Sequence, residues 1–432
     1  MSQRMDSQPL ARFCKRRSLA GPFPCLHESK DGRPRRNMSI PAKFKSSTSK
    51  RQELFLGAPA TDWSRGRGVR KAAKTRGISM GSRSPGKLSE SERPAGVKRR
   101  SPTSATVSLS PRKLRTAHTG PKEHSRHLEI PKLQDSLGLT LNGQEVHLSN
   151  LRKMFWPALG ITKRDLLQYY VEVSPALLPH LRHRAMVMKR YPNGVGSPFF
   201  FMKRAPSPRP RAIQICPITH ASGNVIGFPV VEDLLSLLWV VNLGCIDLNP
   251  WYARCDDVDR PDYLHFDLDP VPGADFGRVL ETALAVREAL GALKIPCYPK
   301  TSGSRGIHIY VPIVRGPTQK QVWAFAKEVA RSLAARHPKL ITAEYRVAKR
   351  PRKRVLVDYN QNAWGRTLAS VYSLRPTPRA TVSTPLRWEE VARGVKIEDF
   401  RIDNVPQRLH HLGDLWKPLL FARGRLRLEP FL

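Results

Sequence analysis

The chain has 432 residues and a formal net charge of +39, from 74 Lys and Arg against 35 Asp and Glu. That length suits one large or two ordinary domains with substantial cores, and that charge favours a polyanionic partner, nucleic acid first. Six cysteines without C-x-x-C or zinc-ligand spacing, and an N-terminus without an apolar core, argue against a zinc module, a disulfide framework and a signal peptide, and predict a reduced, intracellular protein.

Residues 1–130 carry 30 Lys and Arg against 9 Asp and Glu, and the remaining 302 carry 44 against 26. The first 125 residues are rich in Ser, Pro, Gly, Arg and Lys, in runs such as "KRRSPTSATVSLSPRKLR", with no sustained apolar period. Such a segment cannot bury enough surface to offset its ordering entropy, so residues 1–125 read as a disordered basic tail able to attract a polyanion. A solubilising extension, or one from a start codon placed too far upstream, is the alternative. Residues 126–420 read as the folded domain and 421–432 as a C-terminal tail.

From about Leu128 helix and strand signals alternate. In "GITKRDLLQYYVEVSP", Thr162 stands three residues before Asp165 and Leu166, Leu167, Tyr170 and Val171 form a stripe, which predicts a capped helix ending before Pro175. "AMVMKRYPNG" and "PFFFMKRAP" read as strands around a turn, and "DLLSLLWVVNLG" as a buried helix. Its apolar run is far too short to cross a bilayer, and no membrane segment is expected.

The strand "DYLHFDLDP" is followed by a helical stripe at Phe276, Val279, Leu280, Ala283, Val286 and Leu290. Two strand-like runs around a glycine turn come next in "IPCYPKTSGSRGIHIYVPI". A second helix follows, with Thr318 and Gln321 in capping-box register, and then the strand "RVLVDYN". The order β-α-β-β-α-β predicts an α+β fold in which mixed or antiparallel sheets carry packed helices, with a split βαβ unit at its centre.

Period-two reading places Asp267 and Asp269 on one face of their strand, with His265 and Tyr263, and Leu264, Phe266 and Leu268 on the other. His308 and Tyr310 share a face of the next strand, as do Leu356 and Asp358 of the last. A polar group in the middle of an apolar strand is costly unless partnered. If the three strands are neighbours, three carboxylates and a histidine converge, a donor set suited to two divalent cations and phosphoryl transfer. The competing reading is three unrelated acids, each paired with a nearby arginine such as Arg350, Arg352 or Arg354. In "KTSGSRGIHIY", glycines 303 and 306 allow a turn whose N–H groups face an anion, while Ser302 and Arg305 offer a hydroxyl and a guanidinium.

"HFDLDP", "SGSRGIHIYVP" and "VLVDYNQN", in this order, resemble the three motifs of the archaeo-eukaryotic primase superfamily, and most closely the polymerase domain of bacterial DNA ligase D. The flanking blocks "HLSNLRKMFWPALGITKRDLLQYY", "GSPFFFMKRAP", "VVNLGCIDLNPW" and "VYSLRP" agree, so the resemblance covers about residues 128–420. It implies an RRM-like catalytic core of the primase type, in which Asp267, Asp269 and Asp358 hold two Mn2+ or Mg2+ ions. Ser302, Arg305, Gly306 and His308 would bind the incoming NTP or dNTP, with Arg305 where relatives carry lysine. Lys189 and Arg375 match positions that contact nucleotide phosphates. Lys153 and Lys163 match lysines that grip the 5′-phosphate of a recessed DNA end. For Lys163 the helix N-terminus predicts the same, since its free N–H groups would point at the same anion. Phe200 and Phe201 match an aromatic pair that stacks on template bases, although "PFFFM" would serve equally as core. Asn249 stands where the family usually carries histidine near the nucleotide, which puts the bias toward ribonucleotides in doubt.

The resemblance implies addition of nucleotides to a 3′-hydroxyl at gaps or break ends in non-homologous end joining, in the bacterial cytoplasm at the nucleoid. Neither a K-x-D-G ligase motif nor a phosphoesterase block is evident, so a separate ATP-dependent DNA ligase and the end-binding Ku protein are expected partners. Two other readings compete: a non-catalytic DNA-end-binding scaffold, and a manganese-dependent glycosyltransferase using Asp-X-Asp. Clustered acids beside DNA serve no purpose in the first; the third acid and the excess positive charge serve none in the second.

Overall fold

The computed structural model describes residues 128–432; the basic tail expected over residues 1–125 lies outside the described residues. The described chain opens with the hairpin of β1 (Ser136–Leu141) and β2 (Gln144–Ser149), then the short pair β3 (Met154–Trp156) and β4 (Ile161–Thr162). β4 leads directly into α1 (Lys163–Leu181). The expected capping box closes its first turn: the Thr162 hydroxyl accepts from Asp165 N–H at 3.3 Å, and the Asp165 carboxylate accepts from Thr162 N–H at 2.9 Å. The helix does not end before Pro175. That proline cannot donate to the Val171 carbonyl, but the Ser174 hydroxyl donates to it at 2.7 Å, and the fully buried Leu177 and Leu181 carry the helix onward.

β5 (Met186–Arg190) and β6 (Phe200–Met202) follow, then the hairpin of β7 (Ile215–Thr219) and β8 (Val225–Pro229). α2 (Leu234–Asn242), capped by Asp233 and almost wholly buried, leads to β9 (Cys245–Pro250). β5 is the middle strand of an antiparallel sheet between β6 and β9. Cys216 of β7 is disulfide-bonded to Cys255, with Cα atoms 5.7 Å apart, which corrects the expectation that the cysteines are reduced. No spacing motif announced the pair, because the contact is made by the hairpin folding back on the loop after β9.

The second half holds β10 (Tyr263–Pro270), α3 (Phe276–Ala292), β11 (Tyr298–Thr301), β12 (Ile307–Pro312), α4 (Gln319–Arg336), β13 (Ile341–Thr342) and β14 (Val355–Asp358). The strands form one five-stranded sheet in the order β11-β12-β10-β14-β13, antiparallel except between β13 and β14. Without the short β13, the spatial order is that of a split βαβ unit, as the element order predicted. Leu264, Phe266 and Leu268 with Ile307, Ile309 and Val311 are fully buried in one core with Val279, Val286 and Leu290 of α3 and Val322, Phe325 and Leu333 of α4. Helices therefore seal the apolar face and leave the polar face to a site. Beyond the sheet, α5 (Trp388–Arg393) and α6 (Val405–Leu412) complete the element set. Residues 421–432, expected as a tail, are docked: Leu426 N–H donates to the Pro312 carbonyl at 2.9 Å, and Leu428 is fully buried.

A buried ion-pair node ties the two halves together. Arg184 Nη2 reaches both Asp262 oxygens at 2.7 and 2.9 Å, and Arg254 Nε reaches one at 2.9 Å. Burial alone would raise the Asp262 pKa, but the two guanidiniums outweigh it and hold the carboxylate below the usual range. A depressed folded-state pKa gives stability present above the unfolded value and lost as pH falls through the folded one. Urea midpoints should therefore fall between about pH 5 and pH 3, and fall less steeply in Asp262→Asn. That variant should start about 3–5 kcal/mol less stable.

Candidate active site

Register fixes the centre. Asp267 of β10 lies directly opposite His308 of β12 on one side and Asp358 of β14 on the other, while Asp269 lies opposite Leu356. The sequence expected this convergence, and the sheet supplies it. Asp267 is 6% exposed and Asp358 9%. Burial and the nearby Asp358 charge push the Asp267 carboxyl up to about 7. The Asp267 charge, and then burial, push Asp269 up to about 7 as well. Asp358 is raised chiefly by burial and also by Asp269, although Asn360 N–H at 2.8 Å and the Gln361 side-chain amide at 3.3 Å both donate to it.

The alternative of three separately paired acids is not realised. Among the described residues, Asp267 pairs with His308, at 3.3 Å between Oδ1 and Nε2, and no ion pair joins Asp269 or Asp358 to an arginine. The Arg350 guanidinium instead donates to the Glu344 and Tyr345 carbonyls. Among the described residues no three His, Cys, Asp or Glu side chains form a ready-made metal cage. The donor set nevertheless fits hard divalent cations: carboxylates on adjoining strands carry negative charge that each other's presence makes costly, and oxygen-preferring ions would relieve it.

Cations surround these acids. Arg305, exposed, and Arg375 both lower the cost of charge on Asp267 and Asp269. Arg375 Nη1 donates to the Ser302 carbonyl at 2.9 Å. Its Nε lies 3.6 Å from a buried carboxylate of β9, Asp247, whose same oxygen is 3.5 Å from Lys189 Nζ. Asp247 therefore holds the two expected phosphate contacts side by side; burial raises its pKa, opposed by Arg375 and Lys189. Lys189 also lies 4.3 Å from the Phe199 ring centroid. Asn249 sits two residues along β9, its amide donating to the Asp247 carbonyl at 3.2 Å.

The glycine loop takes a different form from the one expected. Ser304, Arg305 and Gly306 N–H all point at the Ser302 hydroxyl, at 3.2, 3.2 and 3.0 Å, so the hydroxyl occupies the nest that was expected to face an anion. Gly306 passes so close to β10 that a Cβ there would lie 2.1 Å from the Leu268 carbonyl oxygen. Gly303 has φ +65°, and a Cβ there would meet the Val382–Ser383 backbone.

Lys153 and Lys163 meet a third cation, Arg190. Burial, then Lys153 and then Arg190 lower the Lys163 pKa to about 8. Lys163 is nearly buried, its Nζ donating to the Ser149 carbonyl at 2.6 Å, and Lys153 Nζ donates to Asn193 at 2.8 Å. The expectation that free N–H groups of α1 join Lys163 in facing an anion is corrected: those of Lys163, Arg164 and Asp165 donate to Lys153 O, Leu151 O and Thr162 Oγ1. Phe200 and Phe201 are not core, at 43% and 61% exposed, and Arg190 lies 5.2 Å from the Phe200 ring centroid.

Sequence reading missed Asp247, Lys300 and Arg190. Asp247 in "CIDLNP" and Lys300 in "CYPKTSG" carry the same signal as Asp267, a lone charge within an apolar strand. Lys300 is fully buried opposite His308, with its Nζ 2.8 Å from His308 Nδ1. Burial lowers the pKa of both groups strongly.

A carboxylate triad on a split βαβ sheet, ringed by lysine and arginine side chains, defines a nucleotidyltransferase of the primase-polymerase class. Residues 162–416 match the LigD primase-polymerase domain, and the chain belongs to that family. The fold resembles the polymerase domain from Mycobacterium tuberculosis Ligase D in complex with DNA, with TM-score 0.61 and 30% identity over 64% of this chain and 98% of that one. The multifunctional non-homologous end joining protein LigD of Mycolicibacterium smegmatis is 34% identical over 278 residues, and the bifunctional non-homologous end joining protein LigD of Bacillus subtilis 32% over 270. Those matches cover 64% and 62% of this chain but 36% and 43% of the relatives' lengths.

Gly306→Ala must displace β10 backbone. It is expected to destabilise the protein by about 1–3 kcal/mol and to weaken nucleotide binding, read by urea unfolding and by nucleotide titration. An unchanged midpoint would contradict the close approach.

Proposed function

We propose that the protein extends a DNA 3′-hydroxyl by single nucleotides, NTP or dNTP, at gaps and break ends during non-homologous end joining. The observation that carries this reading is the pairing of Asp267 with both His308 and Asp358 inside a ring of cations. The catalytic core is of the archaeo-eukaryotic primase type, with Asp267, Asp269 and Asp358 as the catalytic carboxylates. Two Mn2+ or Mg2+ ions held there would lower the pKa of the 3′-hydroxyl and stabilise charge on the α-phosphate.

The chain's own groups do the rest. Arg375, Lys189 and Arg305 hold the triphosphate by charge-assisted hydrogen bonds, and Asp247 keeps the first two aligned. Ser302 orders its loop from within, and Gly306 lets that loop lie against β10. His308 offers Nε2 on the carboxylate face, and Asn249 contributes a neutral contact near the nucleotide. Phe200 and Phe201 stack on template bases without reading sequence. Lys153 and Lys163 hold the 5′-phosphate across the gap. Double-stranded DNA with a 5′-phosphate is thus the partner, with Ku and a separate ATP-dependent DNA ligase completing the repair.

Purified protein with Mn2+, nucleoside triphosphates and a 5′-phosphorylated gapped duplex should yield extended primer, and Asp267→Ala should abolish it. DNA binding without extension under any divalent metal would favour the non-catalytic scaffold instead. Lys163→Met, which keeps the buried stem, should lower the preference for a 5′-phosphate over a 5′-hydroxyl by roughly tenfold. Competition binding reads this directly, and an unchanged preference would remove Lys163 from the phosphate site.

A further inference from the structure

We propose that Lys300 is a positioning residue that fixes His308 as the Nε2–H tautomer, so that the imidazole presents a hydrogen-bond donor to the carboxylate face of the sheet. Burial and Arg375 lower the Lys300 pKa, opposed by the Asp267 charge; kept as the ammonium by the acceptors around it, Nζ has three N–H donors and no acceptor. Lys300 Nζ has three partners: His308 Nδ1 at 2.8 Å, the Ala369 carbonyl at 3.0 Å and the Ser383 hydroxyl. The carbonyl can only accept. The Ser383 proton is already given to the Thr301 carbonyl at 2.8 Å, so toward Lys300 that oxygen accepts too. Three donors then meet three acceptors, Nδ1 among them, and the ring proton lies on Nε2.

The geometry is held from behind. Lys300 and His308 are register partners on adjacent strands, and Thr301, next to Lys300, is tied to the 381–384 segment by its hydroxyl to Val382 O at 3.0 Å and by Thr384 N–H to that hydroxyl at 3.0 Å. His308 Nε2 faces Asp267 Oδ1 at 3.3 Å. A protonated Nε2 suits a carboxylate or a phosphate oxygen there; an Nε2 lone pair would oppose both. The ring orientation and the proton position are therefore set by a fully buried residue held by protein partners, the arrangement by which supporting groups orient metal-site residues in general.

The functional weight of this donor rests on the polymerase reading, but the tautomer does not. The test is nitrogen NMR of the full chain labelled with 15N-histidine, free of metal and nucleotide, with the His308 signals identified by their loss in His308→Gln. The expected spectrum has His308 protonated at Nε2 and unprotonated at Nδ1. A neutral Lys300 taking the Nδ1 proton would give the reverse pattern and overturn the proposal.

Lys300→Met removes every donor and is expected to abolish the tautomer preference and lower kcat for extension roughly tenfold or more. Lys300→Gln keeps an N–H and should restore both in part. An unchanged His308 spectrum in Lys300→Met would also overturn the proposal; if that variant does not fold, the wild-type and Lys300→Gln spectra decide. Failure of Asp267→Ala to stop extension would remove the polymerase reading and leave the tautomer result standing.

Discussion

Two like charges on adjoining strands of a buried sheet are the constraint from which the rest of the molecule follows. Asp267 and Asp358 are register partners on the face that the helices leave open, and Asp269 follows on the same side. In so dry a setting burial and their mutual repulsion raise the pKa of all three carboxyls above the usual range. The apolar face makes the arrangement hard to escape. A slip of one residue in β10 would put Phe266 and Leu268 among the acids and the acids in the core, so the packing of α3 and α4 enforces the electrostatic strain on the other side.

Around this centre, charge is arranged in alternating shells. Carboxylates lie innermost, then Arg305, Arg375 and Lys300, and behind Arg375 and Lys189 comes Asp247. Asp247 leans on Lys189 and Arg375, and Asp358 on the Asn360 N–H dipole, as the cost of isolated buried charge demands. The Ser302 hydroxyl gathers three loop N–H groups and the Lys300 amine three polar partners. Groups expected to meet ligand are thus backed by groups that meet only protein. Arg190 continues the basic surface from Phe200 toward Lys153 and Lys163.

Much of this was legible in the chain. Period-two alternation in "YLHFDLDP" gave the face of each acid, because a strand has only two faces. Thr162 with Asp165, and Thr318 with Gln321, marked helix starts through local hydrogen bonds that need no tertiary context. What escaped depends on distant partners. Pro175 looks like a stop until Ser174 satisfies the carbonyl that it abandons. Cys216 and Cys255 carry no spacing signal, and the N–H groups of α1 are free only until Lys153 and Leu151 turn their carbonyls toward them. Lys300 and Asp247 were missed for a related reason: a charge within a strand announces that it has a partner, but not which one.

The central claim is that β10 and β14 share a cation, and equilibrium binding of Mn2+, followed by its electron paramagnetic resonance signal, tests it most directly. With nucleoside triphosphate present, Asp358→Asn and Asp267→Asn should weaken Mn2+ binding alike, because each strand supplies part of one coordination shell. Wild-type binding in Asp358→Asn, with loss only in Asp267→Asn, would show that the two strands do not serve a common ion.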